Sequence, residues 1–147
     1  MKLLLALLVS VSWSAEKVFL EDLFSDRLVP VEFKKPTLLT FIQPHCGPCK
    51  RQIEALECVH AKQGEKTEIM LVQASGDLKD LQTSLRKQHL PFTMLKGSPK
   101  FLAKYAANLE GTPMTVVFDA KGTIQGRVPG AQSCDFWQGV LTELAAK

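Results

Sequence analysis

This sequence lacks most of what would tie it to nucleic acid or to a charged membrane surface. Its 147 residues carry a net charge of only +3, and the basic residues are spread along the chain rather than gathered in a patch. There is no low-complexity tract, no internal repeat and no linker-like stretch, which argues for one ordinary domain. The four methionines and three histidines are scattered, so no Met-rich or His-rich tract supports a copper or haem carrier. No apolar run reaches the roughly 20 residues needed to span a bilayer. Cysteine is scarce as well: four in all, of which only Cys46 and Cys49 stand close together. Without a second closely spaced pair from Cys58, Cys134, His45, His60 or His89, a structural zinc site is disfavoured and no metal is expected.

What is present is Cys46-Gly47-Pro48-Cys49. Two cysteines three apart can close a small disulfide and reopen it, the chemistry of thiol–disulfide exchange. The surroundings suit that reading. Upstream lies the apolar, β-rich run Thr37 to Ile42; downstream, Lys50 to about Lys62 reads as a helix, with Ile53, Leu56, Val59 and His60 at helical spacing. The motif therefore sits where a strand turns into a helix. Cys46 falls at the helix N-terminus, where backbone N–H groups and the helix dipole stabilise a thiolate.

The first residues read as a leader. Lys2, the apolar stretch Leu3 to Val11 and the small residues Ser12 and Ser14 follow the order of a secretory signal peptide. Cleavage after Ser14 or Ala15 assigns residues 1–15 to the leader and residues 16–147 to the folded domain. No cysteine follows the apolar stretch, which disfavours a bacterial lipoprotein. A periplasmic or secreted location is expected, and there a C-x-x-C pair rests as a disulfide unless something supplies electrons.

Further along, Val18 to Arg27 is a lead-in with one helical turn near Leu20 to Phe24, and Val29 to Phe33 is an edge strand limited by Pro30. Thr67 to Gln73 is a second buried strand. Asp77 to Gln88 is an amphipathic helix with Leu78, Leu81 and Leu85 on one face. Phe92 to Leu95 extends briefly, and Pro99 to Leu109 is helical. Pro113 to Phe118 and Thr123 to Val128 form a hairpin about Asp119 to Gly122. Ser133 caps a closing helix, to Ala146, whose apolar residues are Phe136, Val140, Leu141 and Leu144. The alternation gives an α/β domain: a central mixed sheet with helices on both faces.

The Cys-Gly-Pro-Cys at a strand–helix junction, together with Gly111-Thr112-Pro113 before the strand Met114 to Phe118, resembles the thioredoxin fold over essentially the whole domain. The resemblance implies that Thr112–Pro113 is a cis bond, uncommon in folded proteins, lying against the active-site disulfide. The region of two helices between the second strand and Pro113, with Leu90-Pro91-Phe92 inside it, resembles the helical insertion of the secreted TlpA-like or ResA-like branch. Two departures stand out. His45 precedes Cys46 where these families usually carry Trp. Thr40 stands six residues before Cys46, where cytoplasmic thioredoxins place a buried Asp that helps proton transfer.

The resemblance implies a periplasmic thiol–disulfide oxidoreductase that reduces disulfides of exported proteins, in cytochrome c maturation or metal-centre assembly. Cys46 would be the nucleophile and Cys49 the resolving thiol. Gly47 and Pro48 would shape the loop, while Pro113, Thr112 and His45 would line the substrate groove. The Thr112 backbone would pair with an extended substrate. His45 would either stabilise the Cys46 thiolate or occupy the surface. No cofactor is implied beyond the redox disulfide. The expected partners are exported proteins bearing disulfides or thiols, and a membrane thiol donor of the DsbD type; the chain is expected to act as a monomer. The alternatives are a thiol oxidase and a non-enzymatic metal- or haem-centre assembly chaperone using the same thiols. Cys58 and Cys134 are either a structural disulfide or two free, partly buried thiols; the fold is expected to set them at different heights.

Overall fold

A computed structural model describes residues 17–146. The proposed leader, residues 1–15, lies outside the described residues. The chain runs through β1 (Val18–Glu21), β2 (Leu28–Val31), β3 (Thr37–Ile42), α1 (Gly47–Gln63), β4 (Glu68–Gln73), α2 (Leu78–Arg86), β5 (Thr93–Lys96), α3 (Pro99–Tyr105), β6 (Met114–Phe118), β7 (Ile124–Pro129) and α4 (Cys134–Ala145).

Five strands form one sheet in the order β5-β4-β3-β6-β7. β3, β4 and β5 run parallel, and β6 and β7 are antiparallel additions. All six residues of β3 are buried, because helices cover both faces of the central strand. Successive side chains of β3 go to opposite faces. Leu38 and Ile42 join Ile53 and Leu56 of α1, Leu81 and Leu85 of α2, and Trp137 and Leu141 of α4. Leu39 and Phe41 join Phe101 and Tyr105 of α3 in the second core. By the same alternation Thr40 points into the first core, beneath α1.

The lead-in is a strand and not a helical turn. Val18-Phe19-Leu20-Glu21 pairs antiparallel with β2, placing Leu20 in the second core and Phe19 in solvent. The period is two here, over too few residues to be told from a helical turn in the sequence. Pro30 is tolerated because this two-stranded ribbon leaves it on an edge. The brief extension near Phe92 is a full edge strand, β5, registered with β4 from Met70↔Thr93 to Gln73↔Lys96. α3 stops at Tyr105, short of Leu109, and Asn108 takes a left-handed conformation. In α4 it is Trp137 that is buried (0% exposed), while Phe136 is 40% exposed. Its rim-on contact with the Trp137 ring, centroids 5.1 Å apart, shields one side of it.

Candidate active site

Both cysteines take their places from the strand–helix junction. β3 ends at Ile42, and Gln43 to His45 carry the chain over the top of the sheet to Cys46, the N-cap of α1. Helix N-termini leave backbone N–H groups without intrahelical partners. Here one of them is satisfied by sulfur: the Cys49 N–H donates to Cys46 Sγ at 3.1 Å. Pro48, in the first turn, has no N–H to leave unsatisfied and pre-sets the helical φ. The helix thus begins at Gly47, three residues earlier than its apolar spacing indicates.

The two sulfurs form a disulfide, with Cα atoms 5.2 Å apart. They are not equivalent. Cys46 is half-buried at the rim, whereas Cys49 is 4% exposed and packs in the first core. Gly47 and Pro48 between them are exposed.

Thr112 and Pro113 approach from the other side. The Thr112–Pro113 bond is cis. The Thr112 carbonyl oxygen lies 3.5 Å from Cys46 Sγ, and the Thr112 hydroxyl donates to the same sulfur at 3.4 Å. The turn is held from behind, where the Gly130 N–H donates to the Pro113 carbonyl at 2.9 Å. Cys46 Sγ therefore receives two donors, one from the helix N-terminus and one from the Thr112 hydroxyl. Both favour negative charge on that sulfur once the disulfide opens.

His45 is directed elsewhere. Its backbone is left-handed (φ 58°), and its Nε2 lies 2.9 Å from Asp80 Oδ2 on α2, an exposed pair. The ring is thus engaged with the α2 helix. It still lines a cleft of about 260 Å³, floored by Ile53 and Leu81, that reaches both cysteines from the α2 side.

Cys58 and Cys134 come together. They form a second disulfide, Cα atoms 5.9 Å apart, joining the middle of α1 to the start of α4. The expected difference in height does not exist. The two helices lie side by side in ascending register, Cys58 against Cys134 and then Gln63 hydrogen-bonded to Gln138 at 2.6 Å.

Gln52 was not among the residues singled out from the sequence. This side chain of α1 is 0% exposed and bonds to Thr115 and to the Gln132 backbone. Its place on the buried face was readable from its spacing to Cys49 and Leu56; a polar residue there reads as surface unless its partners are known.

A model of the thioredoxin-like domain family matches residues 30–145. The chain belongs to that family. Among solved structures it resembles a secreted Mycobacterium tuberculosis disulfide oxidoreductase homologous to Escherichia coli DsbE, at 24% identity over 89% of this chain and 96% of that one, with a TM-score of 0.67. M. tuberculosis DsbF, in mixed oxidised and reduced forms, matches at 20% identity over 87% and 95%, with a TM-score of 0.74. A putative thioredoxin from Neisseria meningitidis matches at 18% identity over 90% of each chain, also with a TM-score of 0.74. At these identities the likeness is one of fold. No curated protein sequence matches the chain at a significant level.

Proposed function

We propose that this thioredoxin-like protein is an exported thiol–disulfide oxidoreductase that reduces disulfides of other exported proteins through Cys46 and Cys49. The observation that carries the reading is the asymmetry of the pair. One sulfur stands at a helix N-cap with two donors, beside a cis-proline turn, and the other is buried one turn inside. That is the arrangement of an attacking thiolate backed by a resolving thiol.

In the reducing direction, the Cys46 thiolate attacks one sulfur of a substrate disulfide, and the other substrate sulfur leaves as a thiolate. Cys49 then attacks Cys46 Sγ, its proton passing to solvent or to the departing sulfur. The Cys46–substrate bond breaks, the substrate is left as a dithiol and the Cys46–Cys49 disulfide re-forms. The Thr112 carbonyl, adjacent to the reacting sulfur, suits an extended substrate segment added as a strand. Pro113 shapes that groove, and His45 borders it on the α2 side. A membrane thiol donor of the DsbD type would return the two electrons. Export is supported by the leader-like N-terminus and by the secreted relative of the same fold.

One observation favours a second reading, that of a thiol oxidase. Each donor that stabilises the Cys46 thiolate stabilises the reduced form and makes the pair more oxidising, and Thr112 supplies one such donor. The reduction potential decides between them. With Cys58 and Cys134 replaced by Ser, equilibration in dithiothreitol and glutathione buffers should give a value near about −270 mV for a reductase. A value near about −120 mV makes the protein an oxidase.

A further inference from the structure

We propose that Gln52 is a positioning residue for the release step: its carboxamide ties the Cys49 turn of α1 to the Pro113 strand and to the loop before α4. The proposal rests on the reading of Cys46 and Cys49 as the exchanging pair.

Gln52 lies three residues after Cys49, so the two share one face of α1. The face is the apolar one, with Ile53, Leu56 and Cys49 in the same core, and an apolar side chain would pack there without any partner to find. A fully buried carboxamide is costly unless both ends are bonded. Both are. Gln52 Oε1 accepts the Gln132 N–H at 2.8 Å, and since a backbone amide can only donate, this fixes which way the carboxamide faces. Gln52 Nε2 donates to Thr115 Oγ1 at 3.2 Å, and the Thr115 and Thr40 hydroxyls lie 2.8 Å apart.

The partners are what give the network its consequence. Thr115 stands two residues after Pro113. Gln132 stands two residues after Gly130, whose N–H holds the Pro113 carbonyl. One side chain thus joins three segments: the helix capped by Cys46, the strand that follows the cis-proline turn, and the 130–133 loop that holds the Pro113 carbonyl. While the Cys46–Cys49 bond is closed, a covalent link already holds the helix start in register. In the mixed disulfide that link is open. Cys46 is bonded to substrate, and Cys49 must reach Cys46 Sγ from a helix turn held only by non-covalent contacts. Gln52, three residues beyond Cys49, is a polar side chain of that helix that spans to the opposite wall.

The network is also electrically neutral. The buried polar side chains among the described residues are Thr37, Thr40, Gln52, Thr67 and Thr115, with no acid or base. The Cys49 proton therefore leaves towards the mouth of the site, to water or to the departing substrate sulfur, as Cys49 attacks and the Cys46–substrate bond breaks.

The test separates the two chemical steps in a background with Cys58 and Cys134 replaced by Ser. Iodoacetamide alkylation of the reduced protein reads Cys46. Stopped-flow release of thionitrobenzoate from its mixed disulfide with Cys46 reads attack by Cys49. Gln52→Met, close in shape but without donor or acceptor, should slow release about tenfold and leave alkylation within about twofold, tenfold being roughly 1.4 kcal/mol for the two bonds lost together. Thr115→Val, which removes the Nε2 contact and the Thr40 hydroxyl bond but leaves Gln52 Oε1 on Gln132, should show a smaller loss in the same step and stands in if Gln52→Met does not fold. Gln52→Glu keeps the acceptor for Gln132 and should recover much of the rate at low pH, while adding an ionisation to the pH profile of release that the parent lacks. Release from Gln52→Met at the parent rate, equal slowing of both steps, or failure of Gln52→Glu to recover the rate would overturn the proposal. Failure of the parent to alkylate at Cys46 or to form the mixed disulfide would instead overturn the functional reading beneath it.

Discussion

The Thr112 hydroxyl donates to Cys46 Sγ at 3.4 Å, from a residue 66 positions further along the chain. It brings the cis-proline turn into the electrostatics of the reactive sulfur as well as into the shape of the groove. Thr112→Val keeps the volume and removes the donor. The loss of one hydrogen bond to a charged sulfur, about 1 kcal/mol, should make the pair about 20 mV more reducing. The sign follows because the thiolate occurs only in the reduced form. A potential unchanged or shifted upward in redox-buffer titration would count against the contact.

Replacing the exchanging cysteines should separate their roles. Cys46→Ser should abolish insulin-disulfide reduction, since the remaining thiol is 4% exposed. Cys49→Ser should still attack, and it should accumulate a covalent substrate adduct visible on a non-reducing gel. The reverse pattern would exchange the two roles.

The Cys58–Cys134 bridge closes a loop of 76 residues' separation. Chain entropy alone assigns it about 4 kcal/mol. The double Ser variant should lose stability of that order in guanidinium unfolding, with the Cys46–Cys49 reaction retained. Unreacted thiols at both positions in the air-oxidised protein, read by alkylation and mass spectrometry, would exclude the bridge.

His45 holds a left-handed backbone that costs a residue with a Cβ on the order of 1 kcal/mol or more. Its exposed contact with Asp80 returns less than about 1 kcal/mol. His45→Gly should therefore be neutral or stabilising in thermal unfolding. His45→Val, branched at Cβ, should cost about 1–2 kcal/mol. Asp80→Asn should change little in either stability or exchange rate.

Asp119 organises the β6–β7 turn. Backbone hydrogen bonds from Thr123 and Lys121 and a side-chain bond from Gln125 hold its carboxyl below the ordinary value of 3.8, the Thr123 bond most strongly. A carboxyl lowered in the folded state contributes stability that is fully present above its unfolded value and is lost as pH falls through the folded one. The melting temperature of Asp119→Asn should thus lie below that of the parent at neutral pH, with the gap closing below about pH 4. A gap constant with pH would show that the turn does not use the charge.

The sheet and the principal helices were legible because their signals are local. The largely apolar run of β3, the Leu78–Leu81–Leu85 face and the Ser133 cap each lie within a few residues of what they organise. β1 was not legible, because four residues cannot show whether the period is two or 3.6. Nor was the neighbourhood of Cys58 and Cys134. Their separation of 76 residues is spanned by four strands and two helices, and which helix positions come level depends on packing of all of them. At the candidate site, the pair and the turn announced themselves through Cys46, Cys49 and Pro113. Gln52 did not, since its importance lies wholly in long-range partners 63 and 80 residues away.

The bridge between α1 and α4 makes the chain itself a client of oxidative maturation. Four thiols admit three complete pairings, and only one of them leaves Cys46 free to open and close against Cys49. Two electrons must be withdrawn at Cys58 and Cys134 once, at birth, and not handed back. Two others pass through Cys46 and Cys49 at every turnover. Whatever recharges the protein must tell these bonds apart, and since Cys58 and Cys134 are half-buried like Cys46, the difference lies in where the sulfurs stand: one pair at a helix N-cap beside the cis-proline turn, the other across the flanks of two packed helices.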